Sequence, residues 1–140
     1  ITQAVANSFK TEVLTAVHNF TASTGDTFKI ALFTNSATLS KATTAYSTSN
    51  EVSGTGYTAG GNSLTSVTPV LSTDTAVCDF ADSSWTTATI TARGALIYNS
   101  SESDKAVVVL DFGGDKTSTA GTFTIQFPAA DASNAILRLA

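Results

Sequence analysis

Along the first twenty residues, apolar positions recur at steps of three and four: Phe9, Val13, Ala16, Val17 and Phe20. On a helix these positions share one face. The spacing predicts an α-helix over about 7–20, with Asn7 or Ser8 placed to cap its start, and TASTGD, carrying Gly25, ends it. From residue 27 the period falls to two. In TFKIALFT, Phe28, Ile30 and Leu32 point one way while Lys29, Ala31 and Phe33 point the other. Both faces are partly apolar, which predicts a central strand or one covered by the helix.

A polar run rich in Thr and Ser follows from Asn35 to Asn50. It reads as a long excursion with at most one short edge strand, a kind of segment that often meets a partner. Beyond it come the strand candidates NSLTSVTPV, AVCDF, TTATITARGALIYN, KAVVVLDF, TFTIQF and AILRL, divided by LSTDT, ADSS, SSESD, GGDKTSTAG and PAADASN. Ala88, Ile90 and Ala92 alternate with Thr87, Thr89 and Thr91, giving a small apolar inner face and a β-branched outer one. Arg93-Gly94 interrupts the run as a bulge, and Leu96 and Tyr98 resume the phase. The dividers are too short for crossover helices, so the strands pair antiparallel. The expected fold is mainly β: one domain over 1–140, with an antiparallel β-sandwich over about 27–140, immunoglobulin-like or jelly-roll-like, and one N-terminal α-helix.

Composition narrows the function. Charged residues make up only 13% of the chain, against roughly 25% in ordinary soluble domains, so much of the surface is neutral. Such a surface repels its own copies weakly, which suits self-association. The net charge is -4, and the seven Lys and Arg residues are scattered with none adjacent. A nucleic-acid binder needs a positive field to displace counterions, and an anionic membrane surface asks for the same; neither partner is expected. No apolar run reaches the roughly 18 residues of a membrane span. The start, ITQAVANSFK, lacks a basic stretch followed by an apolar one and does not read as a signal peptide.

The densest motif is EVSGTGYTAGG, residues 51–61, with four glycines around one tyrosine. A phosphate loop would need a following lysine and hydroxyl residue opening a helix, and a dinucleotide fingerprint would also need that helix. Here the glycines lead into NSLTSVTPV, which reads as a strand, so helix-terminus anion binding is not available. Turns, or close approach of backbone to a neighbouring chain, are the better reading.

Other reactive groups are few. Cys78, the only cysteine, lies in an apparent strand and reads as a buried inert thiol. Asp74, Asp79 and Asp82 surround it, and Glu102, Asp104, Asp111 and Asp115 flank the penultimate strands. None matches a calcium loop; solvated turns, or an ion pair with Arg93 or Arg138, are expected. His18, the only histidine, reads as an interior residue near the helix end, and a zinc site would need more soft ligands. Trp85 reads as core packing with its indole donor satisfied near the rim; an exposed Trp85 and tyrosine platform would instead suit a carbohydrate. No catalytic residue, cofactor or metal is assigned, and no enzymatic activity is expected.

The chain resembles a family of small structural proteins encoded by tailed bacteriophages. The resemblance is carried in order by FKTEVLTAVHNF, FKIALFTNSATL, TTAYSTSNEVSGTGYTAGG, WTTATITARGALIYN, FGGDKTSTAGTFTIQF and AILRL. It implies a non-enzymatic virion component, foremost a capsid decoration protein whose partners are other virion proteins, above all the major capsid protein, and copies of itself. A tail or tail-fibre protein with a carbohydrate-binding role is the alternative. Glu51, Gly54, Gly56, Tyr57, Gly60 and Gly61 are the expected intersubunit contacts.

Overall fold

The computed structural model describes residues 1–140. Its elements are β1 (Ala4–Val5), α1 (Asn7–Leu14), β2 (Phe28–Phe33), β3 (Asn62–Ser63), β4 (Ser66–Ser72), β5 (Thr75–Phe80), β6 (Ser83–Asn99), β7 (Lys105–Ile125) and β8 (Leu137–Leu139). They form a five-stranded sheet in the order β1-β7-β6-β2-β3 and a three-stranded sheet in the order β4-β5-β8. Every strand pair is antiparallel.

The doubly apolar FKIALF becomes β2, paired on one edge with β6 from Phe28↔Asn99 to Phe33↔Gly94 and on the other with β3. Only Lys29 of its six residues escapes full burial, as expected of a central strand. On β6, Ala88, Ile90 and Ala92 are buried while Thr87, Thr89 and Thr91 face solvent. Thr91 and Thr117 bond across the hairpin through their hydroxyls at 2.9 Å, and so do Ser84 and Thr124. One cluster of 25 buried residues draws members from both sheets, so they share a core. Phe20 stacks on Phe28 with centroids 4.2 Å apart, and Phe80 of the small sheet lies 5.9 Å from Phe28.

The helix is shorter than its apolar spacing predicts: it ends at Leu14, not at residue 20. Ala16 takes φ 60°, and the N–H groups of Ala16 and Val17 donate back to Val13 O and Glu12 O. This is a Schellman turn, and it swings the chain round so that His18 and Phe20 enter the core from a loop. Nor do Asn7 and Ser8 cap the start. Ala6 occupies the cap position without a side-chain bond, because the chain enters directly from β1 and the Ala6 N–H donates to Val107 O.

The divider GGDKTSTAG is not a turn. KAVVVLDF and the first four residues of TFTIQF belong to one strand, the 21-residue β7, paired along the 17-residue β6. Opposite Arg93 the register jumps: Ala92 faces Lys116 but Gly94 faces Asp111. The irregularity expected at Arg93-Gly94 is present, with the extra residues on the opposing strand. Arg93 spans this bulge, its guanidinium 3.4 Å from Asp115 Oδ1 and 3.9 Å from Asp111 Oδ1. Arg93 and Asp111 are part-exposed and Asp115 is exposed, so the pairs contribute little beyond fixing the bulge. The polar excursion makes only one isolated bridge, Ala45↔Lys105, and a second, Phe33↔Glu51, closes the chain just outside its two ends.

Candidate functional site

The segment EVSGTGYTAGG lies along the five-stranded sheet and is tied to it by its first residue. Glu51 Oε1 accepts the Tyr57 hydroxyl at 2.7 Å and the Gly60 N–H at 2.8 Å, and its Oε2 accepts the Tyr46 hydroxyl at 2.7 Å. One carboxylate thus closes the loop on itself. Tyr57 Oη in turn accepts the Leu32 N–H at 2.9 Å, which joins the loop to β2, and the Tyr98 hydroxyl donates to Gly60 O at 2.7 Å. Tyr46 and Tyr98 stack with ring centroids 4.5 Å apart and planes 10° from parallel. All three tyrosines of the chain therefore meet around Glu51 and Gly60.

The electrostatics follow from that packing. Burial raises the phenol of Tyr57 well above the usual tyrosine range, and the hydrogen bond to Glu51 and its charge push the same way. Tyr46 is raised for the same causes in the same order. Tyr98 is pushed up to about 12, by burial first and then by the charges of Asp104 and Glu51. At neutral pH the three phenols are neutral donors, Tyr46 and Tyr57 to the Glu51 carboxylate and Tyr98 to Gly60 O.

The glycines are needed where the loop touches the sheet. A side chain at Gly61 would run into the carbonyl oxygen of Ile30, and its φ of +71° is itself unfavourable for other residues. At Gly56 a Cβ would sit 2.8 Å from Ala88 Cα, and at Gly54 it would meet Thr89 O. The close approach expected of this motif is therefore made to the chain's own strands β2 and β6. Gly60 is buried, Gly61, Glu51 and Tyr57 are half-buried, and Gly54 and Gly56 present exposed backbone on the outer side.

A second polar cluster fastens the loop after α1. His18 is buried, with Nε2 2.7 Å from Glu12 Oε2 and Nδ1 3.0 Å from Asn99 Nδ2. The Asn99 amide is oriented by its own bonds, since Oδ1 accepts the Ser101 N–H and Nδ2 also donates to Asp26 Oδ2. His18 Nδ1 must then accept, so the proton sits on Nε2 and donates to Glu12. The histidine is interior, as its sequence setting suggests; Glu12 is six residues away, but Asn99 lies far off in the chain.

Trp85 is 4% exposed and packs between Tyr57 and Phe123. It is a core residue, not the face of a sugar platform. The expected bond to its indole is not made: Nε1 has no partner. The Cys78 thiol is half-buried and pushed up to about 12 by burial and then by Asp79, an inert state. Asp79 departs from the solvated turn expected of it. It is 2% exposed, Oδ1 accepts only the N–H of Phe80, and Oδ2 has no partner.

Sequence reading singled out Glu51, Tyr57 and the glycines but missed Tyr46 and Tyr98, which complete their cluster. The available signal was that the chain has only three tyrosines, one of them inside the motif. No protein-family model matches the chain, no curated protein matches it, and no solved structure matches it.

Proposed function

We propose that the protein is a non-enzymatic virion component of a tailed bacteriophage, a capsid decoration protein that binds the major capsid protein and neighbouring copies of itself. The observation that carries this reading is the outer face of the β6–β7 hairpin. Thr86, Thr87, Thr89 and Thr91 on one strand and Thr117, Thr119, Thr122 and Thr124 on the other are exposed and uncharged. A face of this kind can be covered by a neighbour without stripping water from charges, the main cost of burying polar surface. The ordered sequence resemblance to phage structural proteins points the same way, and the single histidine is taken up by fold-holding hydrogen bonds. In this reading the two sheets are the halves of a β-sandwich, supported by Phe80 packing across onto Phe28 and Phe20. The exposed backbone of Gly54 and Gly56, beside that hairpin, belongs to the contact, with Glu51, Tyr57, Gly60 and Gly61 holding it in shape.

Cryo-electron microscopy of the particle that carries the chain tests this. Regular density of this shape over the capsomers is the expected result. Density confined to the tail would move the role to tail structure, and a particle without such density would overturn the proposal.

A further inference from the structure

The exposed apolar surface of the chain is gathered on the small sheet and the helix. Every large hydrophobic side chain that stands exposed, Leu14, Val67, Val70, Leu71 or Leu139, lies on α1, β4 or β8, and none lies on the five-stranded sheet. Strand pairing sorts those of the sheet by face. Phe80 turns one face of β5 toward Phe20 and Phe28, and alternation puts Cys78 and Ala76 on that same face. Leu71 and Leu139 are the register partners of Ala76 on its two sides, so a leucine–alanine–leucine row crosses the sheet. Val67 and Val70 pair with Asp79 and Val77 and belong to the opposite face.

The row overhangs the core. Four residues along β5 carry this face about 13 Å beyond Phe80, past the rings that cover it there. Leu71 is 71% and Leu139 65% exposed, while Ala76 between them is half-buried. Beside the row an apolar cleft of about 570 Å³ opens toward α1, with Phe9, Val13 and Phe20 on one wall and Ala76, Leu137 and Leu139 on the other.

The relief of this surface is ridge, groove, ridge. Neighbouring strands lie about 4.8 Å apart, so the two leucines stand roughly 10 Å apart with one methyl group between them. One aliphatic side chain fills such a gap. A surface that carries both the projecting leucine and the gap for one is complementary to itself, as a twofold interface requires. The row has no charge, and the one charged side chain lining the cleft, Arg138, is turned to the carbonyls of Ala132 and Ser133. Nothing there awaits an anionic head group. The exposed charges beside the two walls are of opposite sign, Lys10 on α1 and Asp74 in the β4–β5 turn. Setting the small sheet of one copy against α1 of the other therefore brings unlike charges together, although the chain is net -4. Side chains, not strand addition, make the contact, because the edge strand β4 carries Pro69, which has no N–H to donate.

We propose that two copies of the chain pair through this face about a twofold axis, Leu71 of each seated over Ala76 of the other. The leucines and the cleft walls offer on the order of 300 Å² of apolar surface per copy, enough to mark an interaction patch and less than half of the about 800 Å² that each side of a standard interface buries. The pair is accordingly weak and favoured where copies are crowded. It uses a different surface from the threonine face of the β6–β7 hairpin and does not depend on what that face binds.

Sedimentation velocity of the full chain between about 1 μM and about 1 mM, the range in which so small an interface dissociates, tests the pairing. The wild type should pass from monomer to dimer across it. Leu71→Ser should raise the dissociation constant at least about tenfold. Ala76→Leu fills the gap and should weaken the dimer too, although it adds apolar surface. A chain that stays monomeric throughout overturns the proposal, and an apolar dye bound in the cleft of that monomer would assign the face to a small ligand instead. A dimer unaffected by Leu71→Ser, or left unchanged or tightened by Ala76→Leu, also overturns it. Should either variant not fold, wild-type amide shifts are followed on dilution: changes centred on Leu71, Ala76 and Leu139 support the pairing, and changes elsewhere or none sink it. Failure of this test leaves the particle-binding reading standing, since that reading is tested on the particle.

Discussion

The carboxylate of Glu51 accepts the backbone N–H of Gly60 at 2.8 Å, nine residues along, and so staples a glycine-rich loop shut. That bond answers whether the glycines wrap a ligand or shape the chain: the acceptor that fills the loop is the chain's own side chain. Removing it should loosen the loop. Glu51→Ala leaves two phenols and a buried N–H without their acceptor and should cost roughly 3 kcal/mol, whereas Glu51→Gln keeps one oxygen and should cost about 1 kcal/mol. Urea unfolding of both variants checks the order; equal losses would mean that the charge and the second acceptor oxygen, which Gln lacks, carry the whole effect.

Gly61 and Gly113 both have positive φ, +71° and +75°, but only Gly61 lies against backbone. Gly61→Ala must displace β3 from Ile30 and should cost about 3 kcal/mol or more. Gly113→Ala, in open space, should cost only the left-handed backbone penalty of about 1 kcal/mol. Thermal melts of the pair would expose a wrong assignment if the two fell together.

Ala16 ends the helix at φ 60°, where glycine is at ease. Ala16→Gly should stabilise the protein by about 1 kcal/mol, seen as a later urea midpoint with an unchanged slope. A loss of stability would show that the turn's strain is relieved elsewhere.

Asn99 donates to both His18 and Asp26 from full burial. Asn99→Ala should cost roughly 2 to 3 kcal/mol, because two acceptors lose their donor in a covered site. The variant should also loosen residues 15–26 more than the sheet, and proteolysis within that loop would report it.

All three tyrosines are raised above their ordinary range, Tyr98 to about 12. A phenol that resists ionisation in the fold contributes stability that is full below about pH 10, its unfolded value, and that is lost as pH rises through the folded value. Alkaline titration at 295 nm should therefore show little phenolate near pH 10, then a cooperative rise together with unfolding. A smooth single-site curve centred near 10 would show that the cluster is open.

Much of this was legible in the chain because burial of a strand or helix face is written in periodicity. The alternation of Ala88, Ile90 and Ala92 with threonines, the doubly apolar β2 and the irregularity at Gly94 all follow from which neighbours are apolar. Four features were not legible, for one shared reason. The helix stops at Leu14 because His18 and Phe20 are drawn to Asn99 and Phe28, partners far along the chain. The glycine-bearing GGDKTSTAG stays within β7 because β6 is long enough to pair on both sides of its bulge. Glu51 finds Tyr46 and Tyr57 nearby but Gly60 is clasped from above by Tyr98, and Asp79 is covered by a sheet whose assembly no local pattern announces. Periodicity specifies which face of an element is apolar; hydrogen-bond partners and the burial of single polar groups depend on contacts between distant segments, which exist only once the chain has closed on itself.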